Sequence, residues 1–367
     1  HQKINTEGLS KFKESLYEVL QYVETPISPE SLTPLKKNLF DALKKVSPEE
    51  RHSLSQAMLT SYFTPDHIVG SMTKSIENYW KDHNLETINI CEPSAGSGKF
   101  LAPLVKDNTS LDAIELDLFT AKILKNNFSS PNVQIHNMGY ENFIPNKQYD
   151  LIVGNVPFGN YKVYDKALSE EKKDIINGKI HNYFFLKSLE NLKPGGVLML
   201  LTTAAMNNAA EERKLRESLM AESNLISCIR FSDTTFKESK TKVVSDLIVL
   251  QKPLAPKKNN SEREKDFINT TPFFEGNDLF PINQYLKNYP ENILGEPYIT
   301  KGFLGKDTLS VLETKESNTI EVLPKILEND FNKYALKQLL DIELSNRNES
   351  VNINESTLKN EEILKDY

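Results

Sequence analysis

Asn155-Val156-Pro157-Phe158 places an amide, a proline and an aromatic ring directly after the apolar run 149–154. At the end of a buried strand, such a set can hold a flat ring that carries an amino group. The amide oxygen and the carbonyl that follows it accept N–H bonds, and the aromatic side chain stacks. About sixty residues upstream, Glu92-Pro93-Ser94-Ala95-Gly96-Ser97-Gly98 follows another short apolar run. Glycines let a backbone turn tightly and approach a ligand where a side chain would collide. Gly96 and Gly98 lie after a strand at 88–91 and before the segment 100–105, the context a nucleotide-binding turn requires. A P-loop would need glycine five residues before Gly98 and a hydroxyl residue after Lys99, but the chain has Pro93 and Phe100 there. A dinucleotide fingerprint needs three glycines at fixed spacing, and two are present. A glycine turn of this kind, Glu92-Pro93-Ser94-Ala95-Gly96-Ser97-Gly98, can instead hold an adenosyl cofactor. With the Asn155 turn it points to methylation of a flat amino group, for which adenine in DNA is the first acceptor to consider.

Glu115 ends the next strand, in Ala113-Ile114-Glu115-Leu116-Asp117. An acid there can take both ribose hydroxyls of an adenosyl group. Asp117 competes for the role, and strand alternation favours Glu115. Tyr140-Glu141 follows the third strand and is a candidate to flank the adenine ring. Tyr62-Phe63-Thr64-Pro65 precedes a helical stretch, with Thr64 as the cap and Pro65 in the first turn. It reads either as a plain capped helix or as a wall of the cofactor pocket.

The elements that must position these residues follow from periodicity. Residues 1–60 read as an N-terminal helical region, with Leu9, Phe12, Leu16, Val19, Leu20 and Val23 forming one stripe and Leu35, Leu39, Leu43 and Val46 another. From about residue 85, strands at 88–91, 111–116, 133–136, 150–153, 197–202, 226–231 and 244–251 alternate with helices at 121–128, 183–192 and 209–218. This alternation implies an α/β fold with a largely parallel sheet covered on both faces, and its last two strands are placed to pair antiparallel at an edge. The reading gives a domain over 61–255 and a C-terminal extension over 256–367, partly packed on the core. Residues 256–265 read as a charged linker or surface loop, Phe273, Tyr285-Leu286 and Ile293-Leu294 as patches that pack back, 321–344 as helical, and the tail from Asn346 as poorly ordered.

The 367 residues carry 44 Lys+Arg against 51 Asp+Glu, a formal net charge of −7, so the total gives no support to a phosphate-binding surface. Nucleic-acid affinity is then either weak or supplied by another chain or segment. Cys91 and Cys228 sit inside apolar runs and read as buried thiols in a reducing, cytoplasmic compartment. No zinc spacing, signal peptide or membrane-length apolar run is visible, so no membrane partner is expected. His1 in place of methionine suggests a trimmed chain.

The order Thr64-Pro65, Glu92 to Gly98, Glu115 and Asn155 to Phe158 resembles the amino-group DNA methyltransferases that make N6-methyladenine. The resemblance covers roughly residues 60–300 and includes the stretch Phe184 to Gly196, Ser245 to Lys252, and Tyr289 to Gly295. The cofactor motif precedes the catalytic one, as in type I restriction modification subunits, and Tyr289 to Gly295 resembles methylases joined to helicases in mobile elements and phage defence. The resemblance implies a Rossmann-like sheet of seven mostly parallel strands and S-adenosylmethionine as cofactor. It also implies DNA as partner, along with a helicase, nuclease or specificity subunit. Asn155, Val156, Pro157 and Phe158 become the catalytic residues, and Tyr62, Thr64, Pro65, Glu92, Pro93, Ala95, Gly96, Gly98, Glu115, Tyr140 and Asn155 the cofactor-binding ones. The family's tetrapeptide is usually Asn/Asp/Ser-Pro-Pro-Tyr/Phe, so Val156 departs from it.

Three further readings stay open in the sequence. Residues 160–182 carry Lys162, Lys166, Lys172, Lys173 and Lys179 with Tyr161, Tyr164 and His181, and read as a solvated loop or as a mobile lid touching DNA. Protein glutamine or RNA adenine presents the same flat amine as adenine in DNA. A non-catalytic cofactor-binding subunit is the rival outside enzymology.

Overall fold

The computed structural model describes residues 33–48, 64–83, 85–159, 163–236, 244–275, 278–301, 307–315 and 317–337, with Val19 and Arg51 besides. The stripe expected over residues 9–23, Tyr62 and the C-terminal tail fall outside these residues, apart from Val19. The second stripe falls on α1 (Pro34–Leu43), where Phe40 and Leu43 are buried.

A seven-stranded sheet organises the chain. Its strands are β1 (Ile88–Glu92), β2 (Thr109–Ile114), β3 (Val133–His136), β4 (Tyr149–Asn155), β5 (Leu192–Thr203), β6 (Asn224–Arg230) and β7 (Ser245–Gln251). The order is β3-β2-β1-β4-β5-β7-β6. β7 runs antiparallel to both neighbours, and the remaining neighbours pair in parallel. The fold is the seven-stranded, mostly parallel, Rossmann-like α/β sheet, with the antiparallel pair at its edge. Between the strands lie α2 (Asp66–Lys81) before β1, α3 (Leu118–Asn127), α4 (Glu170–Ile176), α5 (Ile180–Asn191), α6 (Ala204–Asn208) and α7 (Arg213–Glu222).

Strand alternation divides the core in two, because successive side chains point to opposite faces. Leu151, Val153, Met199, Leu201, Leu247 and Val249 pack on one face with Ile68, Met72 and Ile76 of α2. Ile152, Leu198, Leu200, Ile248 and Leu250 pack on the other with Tyr183, Phe184, Leu186 and Leu189 of α5 and Leu215 and Leu219 of α7. Burying each of these side chains contributes on the order of 1.5–3 kcal/mol. Both faces are covered, so β4, β5 and β7 read as continuous apolar runs rather than alternating ones.

The segment 256–265, expected as a charged linker, carries a helix over its second half. That helix is α8 (Glu262–Ile268), opened by a capping box in which Ser261 and Glu264 bond each other's backbone. Arg263 and Glu264 are buried because they saturate the sheet edge. Arg263 donates to the Leu225 and Ile226 carbonyls at 2.6 and 2.8 Å, and Glu264 accepts from the Leu225 N–H at 3.1 Å. These groups lie where the β6–β7 register shifts. After α8 come the hairpin β8 (Thr270–Glu275) and β9 (Asp278–Asn283), α9 (Gln284–Asn288), the hairpin β10 (Glu296–Lys301) and β11 (Asp307–Leu312), and α10 (Thr319–Tyr334). Tyr285, Leu286 and Leu294 pack back into the core, and α10 lays Leu323, Leu327 and Phe331 on the α2 face.

Candidate active site

The C-terminal ends of β1, β2 and β4 are adjacent, and all the strong sequence candidates meet there. Glu92 ends β1, and the chain then turns through Pro93 to Gly98. Gly96 and Gly98 adopt φ of +55° and +83°, the left-handed region that favours glycine. A Cβ on Gly98 would lie 2.3 Å from the Phe128 ring and 2.7 Å from Leu124, whereas one on Gly96 would meet nothing within 4 Å. Gly98 is thus dictated by the close approach of α3 as well as by its backbone, and Gly96 by its backbone alone, beside an open crevice. The segment 100–105 then closes in successive turns instead of a regular helix.

Glu115 faces this turn. Its carboxylate accepts from the Gly96 N–H at 2.8 Å and the Asp117 N–H at 2.8 Å. Asp117 itself caps α3, accepting from the Thr120 N–H, so the two acids have different tasks. Burial pushes the Glu115 carboxyl up, and the bonds from Asp117 and Gly96 oppose the rise. Glu92 is 2 % exposed and its Oε2 has no hydrogen-bond partner. Burial, then the like charge of Glu115, pushes it well above the usual carboxylate range against a bond from the Leu101 backbone.

Asn155 ends β4 opposite Leu201 of β5. Its Nδ2 donates to Thr64 Oγ1 at 3.2 Å. Its backbone carbonyl accepts from the Ser94 hydroxyl at 2.8 Å, tying the Asn155 turn to the glycine turn. Thr64 therefore does not cap α2. Pro65 holds the cap position, with no side-chain bond, because the Thr64 hydroxyl is committed to Asn155. Lys99 anchors the same corner through the Thr64 carbonyl at 3.1 Å and Asp66 at 2.8 Å. Val156 is buried and its N–H donates to the Leu201 carbonyl at 3.2 Å. Phe158 is half-buried against the α5-side core, and the Gly159 carbonyl accepts from the Ile180 N–H that opens α5.

Residues 52–236, half of the chain and including this whole arrangement, match the family model of the Eco57I restriction-modification methylase. The chain belongs to that family. The chain is 27 % identical over 202 residues to the defense against restriction protein B of Escherichia phage P1, a match covering 53 % of this chain and 8 % of that protein. It is 28 % identical over 189 residues to the type II methyltransferase M.HincII of Haemophilus influenzae, covering 48 % of this chain and 34 % of that protein. The chain therefore spans well under half the length of these relatives. Among solved structures, the type I restriction enzyme EcoKI M protein aligns with a TM-score of 0.40 and 14 % identity, over 68 % of this chain and 55 % of that one.

Not every expected residue joins the site. Tyr140 is 2 % exposed, with its hydroxyl accepting from Asn191 and its ring against Tyr183 and Phe184, so it has no open face for a ligand. The ring lies in the methylase core because the short turn after β3 tucks under α5. The mobile-lid reading of 160–182 also gives way over its described part. Asp165 accepts from the Tyr183 hydroxyl at 2.6 Å and from Lys187 at 3.2 Å, and Leu168 and Ile176 are buried. Lys172 pairs with Glu190, Lys173 with Glu170 and Lys179 with Glu212. Sequence reading missed Ser94, whose link to Asn155 is tertiary, and the rim formed by Leu116, 73 % exposed, with Asn137 bonding the Glu115 and Leu116 carbonyls. Their one sequence signal is position: they follow strand ends at the sheet's binding edge. Among the described residues, no helix is long and apolar enough to cross a membrane.

Proposed function

We propose that this methylase transfers a methyl group from S-adenosylmethionine to the exocyclic N6 amine of adenine in DNA. The observation that carries the reading is the bond between Ser94 and Asn155, which locks a glycine-rich cofactor turn to an amine-holding turn. The residues fit the cofactor: Glu92 presents an orphaned buried oxygen, Gly96 borders open space and Glu115 stands at the lip. Glu115 would take the ribose hydroxyls with its remaining lone pairs, Leu116 would give the adenine an apolar wall, and Glu92 would face the positively charged end. Thr64 and Pro65 set the position of Asn155, and Pro93 and Ala95 shape the turn. When bound, the cofactor supplies a methyl already activated on a sulfonium.

An adenine amine is a weak nucleophile because its lone pair is delocalised into the ring. The Asn155 side-chain oxygen and the Val156 carbonyl accept its two N–H bonds and draw the nitrogen toward a tetrahedral shape. Phe158 stacks on the base. Positioning and directed hydrogen bonds supply the acceleration without a strong base. The base must leave the helix to reach this turn. The net charge of −7 supports a reading in which another segment or partner, such as a specificity, helicase or nuclease component, carries much of the grip on DNA. The names of the relatives, a type II methyltransferase and a phage protein of defense against restriction, support a modification role.

The test is transfer of tritiated methyl to unmethylated DNA, duplex and single-stranded, with Asn155→Ala alongside. Label in N6-methyladenine that disappears in the variant, with cofactor affinity kept, is the expected result. Label in RNA or in protein glutamine instead would reassign the acceptor, and wild-type turnover by Asn155→Ala would remove the catalytic assignment.

A further inference from the structure

We infer that Glu92 distinguishes the positively charged cofactor from its neutral thioether product, binding the former with release of a proton from the Glu92 carboxyl. The inference rests on the reading of S-adenosylmethionine as cofactor and adds to it a source of selectivity.

Glu92 lies in the middle of the three strand ends that build the site. On one side is Glu115, following β2, and on the other β4, where a Cβ built on Gly154 would lie 3.6 Å from the Glu92 Cγ. Gly154 immediately precedes Asn155. A ligand whose ribose is held at Glu115 and whose methyl is delivered at Asn155 must cross above Glu92, and the atom joining those two parts is the sulfonium. The carboxyl is nearly sealed from solvent, its Oε2 has no partner, and its other bond comes from the Leu101 backbone. Among the described residues, the groups packed around it bring no cation. From β2 comes the negative Glu115, from β4 comes Gly154, and from its own strand comes the buried Cys91 thiol. Lys99 in the same turn is engaged by Asp66 and the Thr64 carbonyl.

A carboxyl so placed holds its proton, since ionising it without a cation would leave a buried, unpaired charge beside another acid. A cationic ligand reverses that balance. The bound pair then consists of a carboxylate and a sulfonium, and one proton leaves to solvent, so charge and atoms are conserved. The thioether product shares the α-ammonium of the cofactor and lacks only the sulfonium charge, the one that crosses above Glu92, and with it bound Glu92 keeps its proton. Preference for cofactor over product therefore rises with pH. An opposite charge within about 4–6 Å moves a carboxyl by about 1–3 pH units, so the preference can reach about 10- to 1000-fold.

The experiment is calorimetric binding of S-adenosylmethionine and S-adenosylhomocysteine in buffers of different ionisation enthalpy. It runs between about pH 5.5 and 7, where the α-amino groups of both ligands stay protonated. The expected result is release approaching one proton (about 1) for the cofactor and close to none for the product, with the affinity ratio rising by up to about tenfold per pH unit. Glu92→Gln, which keeps the shape and cannot ionise, loses the proton release and weakens the cofactor by at least about tenfold, while product affinity stays within about twofold. Equal proton counts for the two ligands, or release that persists in Glu92→Gln, would overturn the inference. The wild-type pH series decides the matter if the variant fails to fold. Absence of binding by both ligands would overturn the cofactor reading itself, an outcome distinct from binding without proton release.

Discussion

Val156 shows how one residue can hold the geometry of a motif while departing from its usual letter. Proline would fix φ but has no N–H to give. Valine here donates that N–H to Leu201, adding one bond to the β4–β5 ladder, and its side chain is 1 % exposed in the core. The carbonyl that the proposed transfer uses is thus placed by a bond and by packing instead of by a ring. His181, one residue past the N–H that holds Gly159, carries the opposite kind of feature. It is 6 % exposed and neither ring nitrogen has a hydrogen-bond partner. Burial lowers it from 6.5 to about 4, with Glu212 opposing and Lys179 assisting. A histidine depressed in the folded state is neutral and harmless above its ordinary value, and stability is lost as pH falls from 6.5 toward about 4. Urea unfolding at pH 7 and pH 4.5 should show the wild type losing on the order of 2–3 kcal/mol more than His181→Gln. Parallel losses in the two proteins would contradict this. At this scale the sequence predicts the positions of Asn155 and Glu115, because amide and acid stand at strand ends, and the structure has them there. The sequence does not predict the tie of Thr64 to Asn155, since a threonine before proline looks the same whether its hydroxyl caps a helix or reaches across 91 positions.

The glycine turn is an element whose two glycines serve different ends. Gly98→Ala forces a methyl into Phe128 and Leu124 at a positive φ, so overpacking and backbone strain add to about 2–4 kcal/mol. Gly96→Ala carries only the backbone cost, about 1–2 kcal/mol, because the added methyl enters open space. Denaturation midpoints should separate the two variants, with Gly98→Ala much the less stable. Cofactor titration should reverse their order relative to stability: the Gly96→Ala methyl projects into the crevice and weakens affinity in a protein that still folds. Equal stability would place the α3 contact elsewhere. The strands were legible because each is a short apolar run whose residues feed two cores, and the edge pairing of β6 and β7 followed from the short connection between them. α8 was legible in part. Ser261 and Glu264 carry the capping-box spacing, but a run of charges reads as solvated until the carbonyls that bind Arg263 are known.

For the whole molecule, the sheet must end somewhere, and an exposed edge strand invites pairing with another chain. The chain closes β6 with charged groups instead of a further strand. Arg263 spends two N–H groups on the carbonyls of residues 225 and 226 and one on the Tyr285 hydroxyl at 2.6 Å. Its guanidinium lies 3.7 Å from the centroid of the Tyr334 ring and 3.6 Å from Asp330. Asp330 in turn accepts from Ser227 of β6 at 2.6 Å. One side chain therefore joins α8, α9, α10 and the sheet edge, and α10 covers the face of α2 that leads into Thr64 and the catalytic corner. Lysine cannot replace it, because a point charge cannot serve two carbonyls, a hydroxyl and a ring face together. Arg263→Ala leaves the Asp330 carboxyl buried without its cation and frees two edge carbonyls, at about 3–5 kcal/mol. The expected result is a lowered unfolding temperature, faster proteolysis in the segment beyond residue 256, and concentration-dependent association through β6. Arg263→Lys should fall close to alanine in all three. Affinity for the proposed cofactor, whose proposed contacts Glu92, Gly96 and Glu115 lie on the far side of the sheet, should change little at temperatures where the variant remains folded. A variant with wild-type stability and protease resistance would show that the edge is held by packing alone.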